Sequence, residues 1–160
     1  MYTLLLLLIY LAFISLGLPD SLLGSAWPVM HKAFQVPLSY AGLVTMIISG
    51  GTICSSLTKK FGTQIVTVFS VMLTAIALFG FSTASAFWML CLWAIPYGLG
   101  AGAIDAALNN YVALHYNSRH MSWLHCFWGL GTIISPYVMS YALTTSVWQN
   151  GYRMVSFIQI

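Results

Sequence analysis

The chain has 160 residues, of which 60% are hydrophobic and only 4% are charged. Soluble globular domains carry about 25% charged residues. Five Lys or Arg and two Asp or Glu side chains cannot cover a water-facing surface of this size. The composition therefore excludes a soluble enzyme, a nucleic-acid-binding module and a disordered chain, and it indicates an integral membrane protein.

Six apolar segments follow one another along the chain, separated by charges and turn residues. They are predicted helices over residues 3–30, 38–57, 64–81, 87–113, 122–143 and 147–160. Strands of a membrane barrel alternate apolar and polar residues, and residues 65–81 do not, so the predicted fold is an all-α polytopic membrane bundle. A crossing needs about 20 apolar residues. The sixth segment is shorter, so we expect it to be incomplete and the chain to belong to a longer protein.

The positive charges predict how the helices are oriented. Lys59 and Lys60 lie between the second and third predicted helices, and Arg119 lies between the fourth and fifth. The opposite side has Lys32 and Arg153. Because Lys and Arg favour cytoplasmic loops, we expect the N-terminus and the Lys59 loop in the cytoplasm of a multi-pass plasma-membrane protein.

The aromatic and sulfur-containing residues predict no cofactor chemistry. Trp27, Trp88 and Trp148 fall near one end of the predicted bundle, which is typical of an aromatic belt at a membrane interface. The three cysteines form no CxxC pair, so we expect buried apolar side chains. Neither a HExxH zinc motif nor a GxGxxG dinucleotide motif is present. We therefore expect no metal, no cofactor and no enzyme activity.

Asp105 is the first candidate for a proton-coupling residue. An ionisable side chain inside a membrane helix is costly, and therefore a functional candidate. Gly98, Gly102, Asp105 and Asn109 follow helical spacing, so they share one face. Glycines permit close helix approach, and the polar pair should point at protein or a wet cavity. A carboxylate there is suited to taking up and releasing a proton; the alternative is a structural hydrogen bond between helices.

Asp20, the other acid, is the second proton-coupling candidate. Pro19 precedes it, and we expect a kink that leaves backbone groups open. Asp20 could bind substrate, bind a cation, pair with His125, or cap the disturbed backbone. His125 itself could be a strut between helices or a substrate contact. The candidates for contacting substrate are polar or aromatic residues: Asn109, His125, Trp27 and Trp128.

Two short motifs resemble those of the major facilitator superfamily of transporters. The loop Lys59-Lys60-Phe61-Gly62 is similar to the family's loop motif, in which Lys60 and Gly62 match a basic residue and a glycine. Lys59 stands where the family has an acid. The run Gly151-Tyr-Arg153-Met-Val-Ser-Phe resembles the one that often opens the sixth helix. The resemblance implies that Lys59, Lys60 and Gly62 form a gating loop.

The fourth segment gives the most specific resemblance. Gly100-Ala-Gly102-Ala-Ile-Asp105-Ala-Ala-Leu-Asn109 looks like the corresponding helix of the fucose–proton symporter group of sugar transporters. Asp105 replaces that group's Glu, and Asn110 replaces a proline. The resemblance implies that Asp105 takes part in proton and sugar handling.

The whole chain thus resembles the N-terminal six-helix half of such a transporter, with the sixth helix truncated. This implies transport of a small polar solute, a sugar, by proton-coupled alternating access. The implied partners are the solute, protons, the lipid bilayer and a missing C-terminal six-helix half, with no nucleic acid. Two alternatives remain: a major facilitator transporter for drug or metabolite efflux, or a truncated membrane protein that transports nothing.

Overall fold

The computed structural model describes residues 2–56 and 62–159, and these residues form seven α-helices and no strand. The prediction of an all-α polytopic membrane protein is confirmed. The helices are α1 (Tyr2–Asp20), α2 (Leu22–Ala33), α3 (Tyr40–Ser56), α4 (Thr63–Thr83), α5 (Phe87–His115), α6 (Ser118–Thr145) and α7 (Trp148–Gln159).

Four segments are long and apolar enough to cross a membrane. They are Leu4–Ala33, which joins α1 and α2, then Thr63–Thr83, Phe87–His115 and Ser118–Thr145. Within the described residues, α3 gives a shorter apolar helix, Tyr40–Ser55. The 29 residues of α5 span about 44 Å, well above the roughly 30 Å of a hydrocarbon core. Its ends therefore reach beyond the apolar layer.

The first predicted helix is two helices, because the chain is disturbed at Pro19 and divided at Ser21. Pro19 has no amide hydrogen to donate to the carbonyl oxygen of Ser15, one turn earlier. The side chain of Gln159 in α7 supplies that hydrogen bond instead, with 2.8 Å between Nε2 and the Ser15 oxygen. Asp20 thus ends α1 at a break that a distant helix stabilises.

Glycines set the closest approach between the helices. α5 packs between α3 and α4, and α1 packs along α6. A methyl group on Gly98 of α5 would collide with the Ile48 carbonyl of α3, and one on Gly102 would meet Thr52 of the same helix. The predicted glycine face of α5 therefore lies against α3, where only glycine fits.

Two apolar clusters form the interior. The larger one joins α2, α5 and α7 with parts of the neighbouring helices, and includes Leu22, Trp27, Met30, Tyr97 and Tyr152. The smaller one lies between α1, α5 and α6, and includes Phe13, Ile104, Leu108 and Leu124. The clefts described below lie between the helices that these clusters hold in place.

Large apolar side chains also cover the outside of the bundle, as expected for a surface that faces lipid. Phe69 is 71% exposed and Trp88 is 65% exposed. The predicted aromatic belt is wrong for Trp27 and Trp148, which are buried in the core. The prediction of buried cysteines is also wrong for two of the three, since Cys54 and Cys126 are exposed. Apolar residues can face either lipid or core, so their identity alone does not decide between the two.

Candidate functional site

The carboxylate of Asp20 joins three helices. The hydroxyl of Tyr97 in α5 donates to Asp20 Oδ1 at 2.9 Å. The indole Nε1 of Trp128 in α6 donates to Asp20 Oδ2 at 2.8 Å. Both carboxylate oxygens therefore accept a hydrogen bond from another helix. The Trp128 distance is typical of a charge-assisted N–H···O bond, and the Tyr97 distance lies at the long end of the O–H···O range. Of the alternatives considered for Asp20, pairing with His125 is not the observed arrangement.

The two donors to Asp20 lie in different surroundings. Tyr97 is only 3% exposed, and its ring packs against Phe81 of α4 and, through it, near Tyr152 of α7. Trp128 is 37% exposed and lies beside open space. The Tyr97 side chain is therefore almost fully covered by protein, whereas more than a third of the Trp128 side chain is accessible.

Close backbone packing places Trp128 beside Asp20. A methyl group on Gly17 of α1 would collide with the carbonyl oxygen of Trp128. One on Gly131 of α6 would collide with the carbonyl oxygen of Ile14. The two glycines let α1 and α6 touch backbone to backbone, one turn before Asp20 and one turn after Trp128. The Asp20–Trp128 bond thus rests on a contact that has no room for larger residues.

Asp105 is held mainly from its own helix. The side-chain Nδ2 of Asn109, one turn later in α5, donates to Asp105 Oδ1 at 2.9 Å. The other polar atom of that amide, Asn109 Oδ1, is buried and has no hydrogen-bond partner among the described residues. The predicted pair on one helix face therefore exists, and it retains an unused acceptor beside the carboxylate.

His125 lies across from Asp105 rather than from Asp20. It is exposed on α6, its ring meets Phe13 edge to face at 6.3 Å between centroids, and it interacts electrostatically with Asp105. The structure thus brings an acid and an imidazole together on the two walls of one cleft.

That space, here named the Asp105 cleft, has a volume of about 350 Å³. Its walls combine two acids, a histidine and an indole with small and apolar side chains. They are Leu16, Asp20, Ile48, Thr52, Ala101, Asp105, His125 and Trp128. Four of the nine predicted site residues, Asp20, Asp105, His125 and Trp128, therefore lie around a single cavity of the size of a small-molecule site. Asn109, which bonds to Asp105, is not among the lining residues.

A second space, here named the Tyr97 cleft, has a volume of about 450 Å³. Its lining includes Pro19, Asp20, Gly24, Ala41, Thr45, Ile48, Ser49, Phe81, Tyr97, Trp128 and Tyr152. Asp20, Ile48 and Trp128 line both clefts. Besides the shared residues, the Asp105 cleft is lined by Leu16 of α1, Thr52 of α3 and Asp105 of α5. The Tyr97 cleft is lined by Gly24 of α2, Ala41 and Thr45 at the other end of α3, and Tyr97 nearer the start of α5. The two clefts therefore lie end to end along the bundle, with Asp20 and Trp128 at their junction.

The remaining predicted site residues lie elsewhere. Trp27 is buried in the larger core cluster, where its indole donates to the Leu38 carbonyl at 2.8 Å, and it lines neither cleft. The gating-loop residues Lys59 and Lys60 fall outside the described residues. Gly62 is exposed and precedes the first residue of α4 with an extended backbone.

Sequence reasoning missed Tyr97, the second donor to Asp20. It stands eight residues before Asp105, a spacing that places both on nearly the same face of α5. That spacing could have indicated Tyr97 as a site residue, but a tyrosine after a proline in an apolar run is also a common core residue. Among the described residues, no group of three or more His, Cys, Asp and Glu side chains could hold a metal ion.

Comparison with known proteins gives two matches. Residues 9–158 match the family model of the Major Facilitator Superfamily. The glucose/mannose transporter GlcP of Bacillus subtilis (strain 168) is 24% identical over 148 residues, which cover 87% of this chain and 36% of that transporter. The chain thus spans about a third of the length of this relative.

Proposed function

The chain belongs to the Major Facilitator Superfamily, and from that premise we propose that it forms the N-terminal bundle of a transporter that carries a sugar across a membrane. The substrate class is supported by the likeness to a glucose/mannose transporter and by the resemblance of residues 100–109 to the fucose–proton symporter group. In this proposal the protein performs transport and no enzymatic reaction.

The observation that carries the proposal is the pair of carboxylates in two adjoining clefts. Sugar hydroxyls are neutral hydrogen-bond donors and acceptors, and carboxylates with nearby amides and hydroxyls bind them well. The carboxylates of Asp20 and Asp105 line the Asp105 cleft and supply acceptors. The exposed ring of Trp128 offers an apolar surface on which the face of a sugar ring could stack.

For proton coupling we assign Asp105 as the principal site and Asp20 as a second one. Asp105 lies within a membrane-spanning helix, where an ionisable group is costly unless function requires it. Its hydrogen bond from Asn109 is local, and His125 lies opposite. A proton could therefore bind and leave Asp105 without breaking a hydrogen bond between helices, while it changes the electrostatic interaction with His125.

Alternating access requires a second bundle. The two clefts lie end to end and meet at Asp20 and Trp128, so the same site could open to either side of a bilayer. We assign the second six-helix half of the transporter as the partner that rocks against this bundle around the site. Asn109, His125 and Trp128 are the assigned solute contacts, and Gly62 belongs to the assigned gating loop with Lys59 and Lys60.

The apolar helices and the positions of the positive charges support an assignment of the cellular location. The apolar helices make the chain a multi-pass membrane protein. The excess of Lys and Arg on the side of Lys59, Lys60 and Arg119 supports a cytoplasmic N-terminus in the plasma membrane.

The test is uptake of radiolabelled glucose into vesicles that contain the complete transporter. We expect uptake against a glucose gradient when the outside is made more acidic, and its loss when a protonophore collapses the proton gradient. Uptake that ignores the protonophore would contradict proton coupling. Absence of uptake for glucose and mannose, with uptake of an apolar drug, would contradict the sugar assignment.

A further inference from the structure

The hydrogen bond between Asp20 and Trp128 lies in the wall between the two clefts. Asp20 and Trp128 are on different helices, and both line the Asp105 cleft and the Tyr97 cleft. The 2.8 Å bond from the indole to Asp20 Oδ2 joins the α1 side of that wall to the α6 side. A solute that moves between the clefts would pass beside these two residues, which line both of them.

The two hydrogen-bond donors to Asp20, Tyr97 and Trp128, differ in how easily each side chain can move away from the carboxylate. Tyr97 is buried and its ring packs against Phe81 of α4, so its bond to Oδ1 is the more enclosed of the two. The Trp128 ring is more than a third exposed, but its backbone is fixed because the Trp128 carbonyl abuts Gly17. Movement at Trp128 is therefore confined to its side chain, and it breaks one hydrogen bond.

An indole N–H and a sugar hydroxyl make the same kind of contact with a carboxylate. Each is a neutral donor that supplies one hydrogen to one oxygen. The hydroxyl can approach more closely, because O–H···O⁻ bonds are shorter than N–H···O⁻ bonds. Exchange of one for the other leaves Asp20 with both oxygens paired, so no buried charge is left without partners.

We propose that the Trp128 indole donates to Asp20 Oδ2 only while no solute is bound, and that a hydroxyl group of the solute displaces it. In the solute-bound state the solute hydroxyl donates to Asp20 Oδ2, Tyr97 keeps Oδ1, and the indole swings out of the wall between the clefts. Trp128 is thus a positioning residue that makes passage depend on a hydroxyl donor in the solute. This inference rests on the proposed transport of a sugar.

The experiment compares Trp128→Phe with the matched control Trp123→Phe in the complete transporter, with glucose as the probe. Phenylalanine keeps a ring for stacking but has no N–H to compete for Asp20. Trp123 lies on the same helix and is exposed, and its ring is tilted against that of Phe127 at 6.2 Å between centroids. From hydrogen-bond energies measured in membrane proteins we expect Trp128→Phe to tighten glucose binding by roughly threefold to tenfold. The control should stay within about twofold on the same scale.

Tryptophan fluorescence gives the second readout. Glucose should change the emission of the unmodified protein and of Trp123→Phe, and most of that change should be lost in Trp128→Phe. Should Trp128→Phe fail to fold, Asp20→Asn reports on the same bond from the acceptor side. Its amide cannot accept from both donors, so its emission without glucose should match that of the glucose-bound protein.

The outcomes separate this inference from the proposed function. Weaker or unchanged glucose binding in Trp128→Phe, with normal binding in the unmodified protein, would overturn the displacement and leave sugar transport intact. No glucose binding in any of the proteins would overturn both. A glucose-dependent emission change that persists in Trp128→Phe would likewise show that the indole does not move.

Discussion

Asp20 and Asp105 are the two acids of the chain, and they are held in opposite ways. Asp20 accepts hydrogen bonds from two other helices, through Tyr97 and Trp128. Asp105 accepts one from Asn109 of its own helix. A change at Asp20 therefore alters hydrogen bonds among α1, α5 and α6, whereas the hydrogen bond of Asp105 lies within α5 and its interaction with α6 is the electrostatic one with His125. The two acids thus differ in the kind of contact that joins them to α6.

The largest effect is expected for Asp105→Asn. The amide keeps the size and the local bond partner of the carboxylate but cannot carry the charge, so proton-driven glucose uptake should be abolished while the protein still inserts and folds. Uptake in vesicles with an imposed proton gradient, beside the thermal stability of the purified protein, checks this. Normal uptake with an unchanged pH profile would remove the proton role from Asp105.

A backbone contact should matter most for the stability of the Asp20 side. Gly17→Ala places a methyl group against the Trp128 carbonyl and should destabilise the protein by about 1–3 kcal/mol. Gly129→Ala is the matched control, because nothing lies within 4 Å of its added carbon. That control should be neutral or stabilising by up to about 1 kcal/mol, the helix propensity difference between Gly and Ala. Unfolding in detergent measures both, and equal effects would refute the packing argument.

Tyr97→Phe tests whether Asp20 and Asp105 act separately. It removes one donor from Asp20 without opening a cavity, and hydrogen bonds between membrane helices contribute about 0.6 kcal/mol on average. We expect a loss of stability of that order and altered glucose affinity, with a pH profile that shifts less than in Asn109→Ala, because Asp20 is the second of the two assigned proton sites. A shift larger than in Asn109→Ala would make Asp20, and not Asp105, the principal proton site.

The smallest effect is expected for Asn109→Ala. Its bond to Asp105 spans one turn of α5, and such pairs stabilise helices by about 0.2–0.5 kcal/mol. Stability should therefore barely change, while the pH profile of uptake should shift, because Asp105 loses its local donor. A stability loss as large as that of Gly17→Ala would show that Asn109 makes stabilising contacts beyond its hydrogen bond to Asp105.

Much of the site could be predicted because polar residues in a membrane helix have few other uses. The rarity of acids in the chain identified Asp20 and Asp105, which line one cleft with His125 and Trp128. The helical spacing predicted the pair of Asp105 and Asn109, although Asn109 itself is not part of the cleft lining. Trp27 could not be placed in this way. Lipid and protein core are equally apolar, so an apolar face does not reveal which of them it meets, and Trp27 proved to be core.

Tyr97 and the break at Ser21 were not predictable for a related reason. Both depend on contacts between residues far apart in the chain: Tyr97 with Asp20, and Gln159 with the Ser15 carbonyl. A pattern within one helix carries no record of such pairs. The sequence does indicate that such contacts are needed, because Pro19 lacks a backbone donor and Asp20 introduces a charge that requires partners.

The bond from Gln159 to the Ser15 carbonyl has a mechanical meaning. Pro19 transfers one rung of the α1 hydrogen-bond ladder to a side chain of another helix. The end of α1 just before Asp20 is therefore not stabilised by α1 alone. A displacement of α7 that broke this bond would leave the Ser15 carbonyl oxygen without its donor, within the last two turns of α1 and close to the junction of the clefts.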